Sequence, residues 1–352
     1  MSFLILIVSF FWFYLSQSLP ITEDDNGITN LNKFCLTPEL DGEWVLFDTA
    51  TKNNRTFIDS ICCEGDDRLY RYNTGLCSKE KVPGDFIGHP TKLATMRGRA
   101  CRCTNFTDRY IWKFNTYSSD EWDAVDFCRR LGNRTILFIG DSSVAQTATT
   151  IMNSIFHKDG GCQTQMSFVM SDTLIKEPMG ALNRGNYWTD AIIQSMKKKM
   201  YYPDIVVLSG GAHIYGNTNY TRMYNSIFSD INFLRRVFNK EITFVWKTQQ
   251  PGGCTSEILQ GHPFVAAQNG ISTDKHLWNH ADFFQRDIQI IPLLQKHDIP
   301  FLDLRMLYSR TDAHVNQQAV QQQAQDCLHL CSPGPLDILP VLMYRLLKNN
   351  FA

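Results

Sequence analysis

Short apolar segments recur along the second half of the chain, and segments with a helical spacing of apolar residues lie between them. The predicted strands are Ile136–Ile139, Ser167–Met170, Ile205–Ser209, Ile242–Trp246 and Phe301–Leu304. The predicted helices are Ser143–Phe156, Tyr224–Phe238, Trp278–Lys296 and Leu336–Leu347. Alternating strands and helices are typical of a parallel sheet that is covered by helices on both faces. The pattern therefore predicts an α/β domain over residues 131–352.

Residues 34–130 have a different character, since cysteine, glycine and aromatic residues are frequent there and no periodicity is sustained. Seven of the 11 cysteines lie between Cys35 and Cys128. The other four are Cys162, Cys254, Cys327 and Cys331. This pattern predicts a smaller, loop-rich lobe tied by disulfides in an oxidising compartment. The connectivity stays open, and the odd count leaves one thiol free or intermolecular. Zinc ligation is disfavoured and no metal is predicted, because the closely spaced cysteines lack C-x-x-C spacing.

The N-terminal segment, residues 1–18, predicts entry into the secretory pathway. Its apolar block, Phe3 to Leu15, is shorter than the roughly 20 residues that span a bilayer, and Ser16 and Ser18 form a small-x-small cleavage site. A signal peptide is favoured; a retained membrane anchor is the alternative, because no basic cluster settles the orientation. Either reading predicts a secreted protein or one of the Golgi or ER lumen. The sequons at Asn54, Asn105, Asn133 and Asn219 agree with it.

The charge balance narrows the range of partners. The chain of 352 residues carries 34 Lys and Arg against 35 Asp and Glu, so no strong field would attract nucleic acid. A hydrophobic content of 43% is enough for a large core. A membrane partner is expected only if the N-terminal segment is retained.

One predicted strand ends in the sequence Gly-Asp-Ser, which places Ser142 at the start of a helix. Functional sites of parallel sheets form beyond the carboxyl ends of the strands, and helix N-termini favour anions. Ser142 is therefore a candidate nucleophile. The alternative is that Asp141 and Ser142 only cap the helix.

A possible acid and base for this serine lie near the C-terminus, in the sequence DCLHLC. Two residues separate Asp326 from His329, so a short turn can direct both side chains to one side. A carboxylate that orients an imidazole can activate a serine hydroxyl. The α/β-hydrolase elbow G-x-S-x-G is absent, because Val144 stands where its second glycine would be.

Several blocks together resemble the PC-esterase branch of the SGNH (GDSL-type) hydrolases, a branch that includes the plant trichome-birefringence-like polysaccharide O-acetyltransferases. The blocks are CLTPELDGEWVLFD, RYIWKF, ILFIGDS, DIVVLSGGAH, RTDAH and DCLHLCSPGPLD. The resemblance implies a flavodoxin-like three-layer α/β/α sandwich with a cysteine-rich N-terminal lobe. It also implies Ser142 as nucleophile, His329 as base and Asp326 as acid. No bound cofactor is implied, and the acetyl donor stays open.

The chain departs from this family at two places near the expected oxyanion hole. Ala145 stands where many relatives have arginine, although the following Gln146 matches them, and Ser209 stands where relatives often have asparagine. The residues that remain as oxyanion or substrate candidates are Gln146, Ser209, Gly210, Gly211 and His213. Losing one oxyanion donor can cost about 10² to 10³ in rate. His213 is equally well read as a packed histidine after a strand.

Two functions follow as predictions. The first is a carbohydrate O-acetyltransferase or acetylesterase that works through an acetyl-serine intermediate, with a glycan as its partner. The alternative is a glycan-binding or structural protein with a degraded SGNH site, which the departures at Ala145 and Ser209 suggest.

Overall fold

The structure is a computed structural model, and all the residues that it describes belong to one unit, Phe34–Ala352. It describes residues 42–46, 110–114, 122–156, 162–175, 187–190, 192, 203–237, 242–252, 282–310, 328–330 and 335–351. The strands are β1 (Gly42–Leu46), β2 (Tyr110–Phe114), β3 (Ile136–Gly140), β4 (Met166–Met170), β5 (Ile205–Ser209), β6 (Thr243–Lys247) and β7 (Phe301–Leu302). The α-helices are α1 (Ala124–Leu131), α2 (Ser142–Phe156), α3 (Asn217–Val237), α4 (Phe283–Lys296) and α5 (Ile338–Asn350).

Five strands form one parallel sheet in the order β4-β3-β5-β6-β7. All five of the predicted strands are present, with ends that differ by one or two residues. Counted from β3, this order is the 2-1-3-4-5 arrangement of flavodoxin-like folds. The chain leaves β3 for one neighbour, β4, and returns to the other, β5. The topological switch point therefore lies between β3 and β5, the place where ligands bind in such sheets.

Helices cover both faces of the sheet, which confirms the predicted α/β architecture with three layers. Side chains alternate along β3: Ile136 and Phe138 lie in the core under α1, α2 and α5, whereas Leu137 and Ile139 lie in the core under α3 and α4. All five residues of β3 are buried. A strand that is buried on both faces needs apolar side chains at every position, which explains its uninterrupted apolar sequence.

The predicted helices differ from the observed ones mainly at their starts. Helix α3 begins at Asn217, before the first residue with clear apolar spacing, and a 3₁₀ turn, Pro335–Asp337, precedes α5. Helix α1 was not predicted. Its N-cap residue Asp123 accepts hydrogen bonds from the backbone N–H groups of Val125 and Asp126, at 2.9 and 3.1 Å.

Helix α1 packs on the sheet domain. Its Phe127 and Leu131 lie in the same core as α2 and α5, and the Tyr344 hydroxyl of α5 donates to the Asp126 carboxylate. A disulfide joins Cys128 of α1 to Cys162, the one disulfide among the residues that the structure describes. The last residues of the stretch predicted as a separate lobe thus pack against the sandwich. Of the rest of that stretch, the structure describes only the antiparallel pair β1 and β2.

Gly140, the last residue of β3, lies in close contact with both the neighbouring strand β5 and the helix α2. A Cβ at this position would stand 2.3 Å from the Ser209 carbonyl oxygen of β5 and 2.4 Å from Val144 Cγ2 of α2. The carbonyl belongs to a paired strand and cannot move aside without breaking the register of Gly140 with Ser209. Glycine is therefore required for the strand to turn into α2 here.

We expect Gly140→Ala to lower the free energy of unfolding by about 1 to 3 kcal/mol, since overpacking against fixed backbone is costly. The measurement is equilibrium denaturation in urea. Gly210→Ala is the matched control, because its added Cβ would meet the flexible end of Leu174 at 3.2 Å. Equal stability of Gly140→Ala and the parent chain would contradict this account of the turn.

Candidate active site

The Gly-Asp-Ser turn connects β3 to α2 and presents Ser142 at the first position of the helix. The Asp141 carbonyl accepts from the N–H groups of Val144 and Ala145, both at 3.1 Å, and its carboxylate Oδ1 accepts from Ser143 N–H at 2.9 Å. Asp141 therefore caps α2, as the alternative interpretation of the motif held. The side chain of Ser142 itself is half-buried, whereas those of Asp141 and Ser143 are buried.

Across the switch point, the chain that leaves β5 is held by Gln249. The Gln249 side-chain amide donates to the Gly210 carbonyl at 2.7 Å and to Ser209 Oγ at 3.3 Å. A Cβ on Gly211 would stand 2.9 Å from the Gln249 amide carbon, so a side chain at this position would push the Gln249 amide away from these bonds. Ser209, Gly210 and Gly211 thus lie at the edge of the sheet next to the serine turn.

Arg286 of α4 supports the same loop from below. Its guanidinium is buried, donates to the carbonyls of Gly211 and Ile214 at 3.3 and 3.2 Å, and lies 4.5 Å from the centre of the Tyr220 ring. The loop therefore has its carbonyl groups bound to the layer underneath, which fixes the orientation of its peptide planes.

His213 lies at the same edge of the sheet and faces Asp172, which lies on the other side of β3. Its Nε2 is 3.6 Å from Asp172 Oδ1, and both side chains are buried. Asp172 follows β4 and His213 follows β5, strands that are two strand spacings apart because β3 lies between them. The pair consequently joins the two loops that flank the serine turn.

The segment that carries His329 is attached to α2 by Gln146. The Gln146 side chain donates to the Leu330 carbonyl and accepts from Leu330 N–H at 3.3 Å, so it bonds both polar groups of one residue. Gln250, which follows β6, donates to the Leu328 carbonyl at 2.9 Å and to Gln146 Oε1 at 3.2 Å. His329 lies between the two bonded residues and is buried.

This tether brings two of the predicted catalytic residues to one region. Gln146 is one helical turn after Ser142, and its bonds end on the neighbour of His329. The predicted acid Asp326 lies outside the described residues, as do Cys327 and Cys331, which flank His329 in the sequence. Gln146 was predicted as an oxyanion or substrate residue, and the structure gives its amide a tethering contact instead of an open position.

A buried charged layer lies beneath the serine turn. The ammonium of Lys247, at the end of β6, is 3.2 Å from Ser143 Oγ, and the side chain is fully buried. Burial lowers the pKa of Lys247 to about 8, against the opposing attraction of Asp141 and Asp287. Burial also raises the pKa of Asp287 well above its usual range, although the carboxylate accepts from Gln249 N–H at 3.0 Å.

Sequence reasoning did not single out Lys247, Gln249, Gln250 or Asp172. The available signal was the sequence Lys-Thr-Gln-Gln, residues 247–250, which follows an apolar strand and is buried throughout. Polar residues at the carboxyl end of a buried strand lie at the edge where sites form. A run of them is therefore informative even without a known motif.

Other predicted features fall partly within the described regions. Asn133 is exposed, whereas Asn219 is half-buried and donates from its side-chain amide to the Tyr215 carbonyl at 2.7 Å. Asn54, Asn105 and the N-terminal segment lie outside the described residues. Within the described regions, no cluster of histidine, cysteine or acidic side chains is arranged to hold a metal ion, and no helix combines the length and apolarity that crossing a membrane requires.

Comparison with known proteins adds no name to this site. Neither a protein-family model nor a curated protein sequence matches the chain.

Proposed function

We propose that the protein is an SGNH-type O-acetyltransferase or acetylesterase of the secretory pathway, acting on carbohydrate and carrying the acetyl group on Ser142. The observation that carries the proposal is the tether between Gln146 of α2 and Leu330, which keeps the His329 segment at the helix that begins with Ser142. Acyl transfer through a serine needs a nucleophile and a histidine base in one site. Ser142 and His329, which are far apart in the sequence, would supply them.

The chemistry proceeds in two displacements. His329 takes the Ser142 proton as the serine oxygen attacks the acetyl carbonyl, and it returns that proton to the donor's leaving group as the bond to the acetyl group breaks. A sugar hydroxyl, or water, then gives its proton to His329 and attacks the acetyl-serine, and His329 passes this proton to the departing serine oxygen. In this proposal, Asp326 orients the imidazole for both steps.

The oxyanion of each step needs hydrogen-bond donors. The backbone N–H of Ser142 and that of Gly210 or Gly211 are the proposed donors, because they belong to the two chain segments on either side of the switch point. The N-terminus of α2 adds a favourable dipole for negative charge. Donors on backbone held by Gln249 and Arg286 need little reorganisation during the reaction, which is the basis of oxyanion stabilisation.

The alternative, a glycan-binding protein with a degraded site, is favoured by two observations. Ala145 is 1% exposed and packs in the core, so nothing at this position replaces the arginine of the similar family. The Ser209 hydroxyl is bound to Gln249 inside the protein.

Ser142→Ala should abolish acyl-enzyme formation, because removal of a nucleophile commonly lowers turnover by several orders of magnitude. The lumenal protein would be mixed with p-nitrophenyl acetate, and the adduct located by intact-mass and peptide mass spectrometry. Ser154→Ala is the control, a buried serine of the same helix whose hydroxyl bonds to the Ile151 carbonyl. Addition of oligosaccharides then measures whether the acetyl group leaves faster to sugar than to water.

The proposal is supported by an acetyl group on Ser142 of both the parent chain and the Ser154→Ala protein, together with no adduct on the Ser142→Ala protein. A folded parent chain that takes no acetyl group, or takes it on another residue, refutes the proposed function and favours the glycan-binding alternative.

Gln146→Glu should slow acetylation of Ser142 by about 10², since misplacing a catalytic group by about 1 Å has an effect of that size. The substitution keeps the shape of the side chain but places a carboxylate against the Leu330 carbonyl. Thr150→Val is the matched control, because Thr150 lies one turn further along α2 and its hydroxyl bonds only within the helix, to the Gln146 carbonyl at 3.0 Å. A Gln146→Glu protein that is acetylated at the parent rate would show that the tether does not position the base.

A further inference from the structure

Lys247 is the residue of this site whose burial is hardest to explain by packing alone. It ends β6, a strand separated from β3 by β5, yet its side chain crosses the end of β5 and reaches the first turn of α2. The ammonium ends 3.2 Å from Ser143 Oγ with no exposed surface. Taking an ammonium out of water is unfavourable unless its charge is compensated.

The charges that face Lys247 come from two elements. Asp141 belongs to the turn between β3 and α2, and Asp287 belongs to α4. One Asp141 oxygen is bound to Ser143 N–H, and the other is buried with no hydrogen-bond partner among the described residues. The Asp287 carboxyl group also accepts hydrogen bonds from the Gln249 backbone N–H and the Tyr308 hydroxyl. The Lys247 ammonium thus lies between Asp141, which caps α2, and Asp287 of α4.

We propose that Lys247 is a positioning residue for the nucleophile, whose buried ammonium holds Ser143 and Asp141 on either side of Ser142. This inference rests on the function proposed above. Ser143 is held through its hydroxyl and Asp141 through the attraction of opposite charges. Since both neighbours of Ser142 are fixed, the serine oxygen and the backbone N–H beside it keep one direction relative to the loop that follows β5.

A purely structural role would show as a loss of stability when the ammonium is removed, because this leaves the Asp141 charge buried and uncompensated. A charge-dependent role has a different signature. The turn would loosen as the ammonium loses its proton, and the loss of rate would follow the pH at which that happens. Arginine stays protonated throughout this range, so it separates the charge from the rest of the side chain.

The test compares the parent chain with Lys247→Met and Lys247→Arg in the rate of acetyl-Ser142 formation from p-nitrophenyl acetate between pH 6 and about 10. Folding is checked at each pH by near-UV circular dichroism. The parent rate should fall above about pH 8, where the ammonium of Lys247 loses its proton. Lys247→Met should be slower by about 10 to 10² at neutral pH, with no further fall. Lys247→Arg should keep a measurable rate without the fall at high pH.

Lys348→Met is the control for loss of a lysine, since Lys348 of α5 lies over the Tyr344 ring, outside the site. A folded Lys247→Met protein with the parent rate and pH profile overturns the inference, as does a Lys247→Arg protein that retains the fall at high pH. If Lys247→Met does not fold, the pH profile of Lys247→Arg alone decides whether the inference holds. A parent chain that takes no acetyl group on Ser142 refutes the proposed function instead, and the inference with it.

Discussion

The carboxyl edge of the sheet depends on one constraint: polar groups that are removed from water must find partners inside the protein. Thr248, Gln249 and Gln250 follow β6 in sequence and are all buried. Each bonds a different segment: Thr248 bonds the end of β7 and the chain that follows it, Gln249 the loop after β5 and Gln250 the His329 segment. Three consecutive side chains therefore connect the strand ends to one another. The arrangement of the candidate site follows from how these amides and hydroxyls are satisfied.

The exclusion of unpaired polar groups from the interior also explains why the central strands could be predicted from the sequence. The strands β3, β5 and β6 are buried on both faces, and their apolar runs end where polar residues begin. Such segments leave little choice of structure, because their side chains fit only between two layers of helices. The strand order was not derivable from local pattern. The strand order depends on contacts between distant segments, which a local pattern does not contain.

Helix α1 shows where local reasoning failed. Its sequence, AVDFCRRL, is short and carries three charged residues, and it follows a cysteine-rich stretch without periodicity. What stabilises it is mostly tertiary: Phe127 and Leu131 in the core, the Tyr344 contact with Asp126, and the disulfide to Cys162. Short helices are marginal without such packing, so their sequences carry a weak signal.

For the candidate site, the sequence supplied the residues that form a motif and missed those that support them. Ser142 and His329 were predicted because Gly-Asp-Ser and Asp-x-x-His occur together in one chain, in blocks that resemble a known family. Lys247 and Gln249 belong to no motif, and their place in the site depends on the bonds that they make after folding.

The proposed role of Lys247 in positioning Ser142 is separate from its effect on the stability of the fold. Because its pKa in the fold, about 8, is below the 10.5 of an exposed lysine, the unfolded chain binds more protons between these values. This group's contribution to stability is thus least favourable below about pH 8 and rises toward higher pH, as the amine becomes neutral. Folding at neutral pH therefore retains a charge that lowers the stability of the fold. The role proposed for Lys247 accordingly concerns the arrangement of Asp141 and Ser143 around Ser142 and not stability.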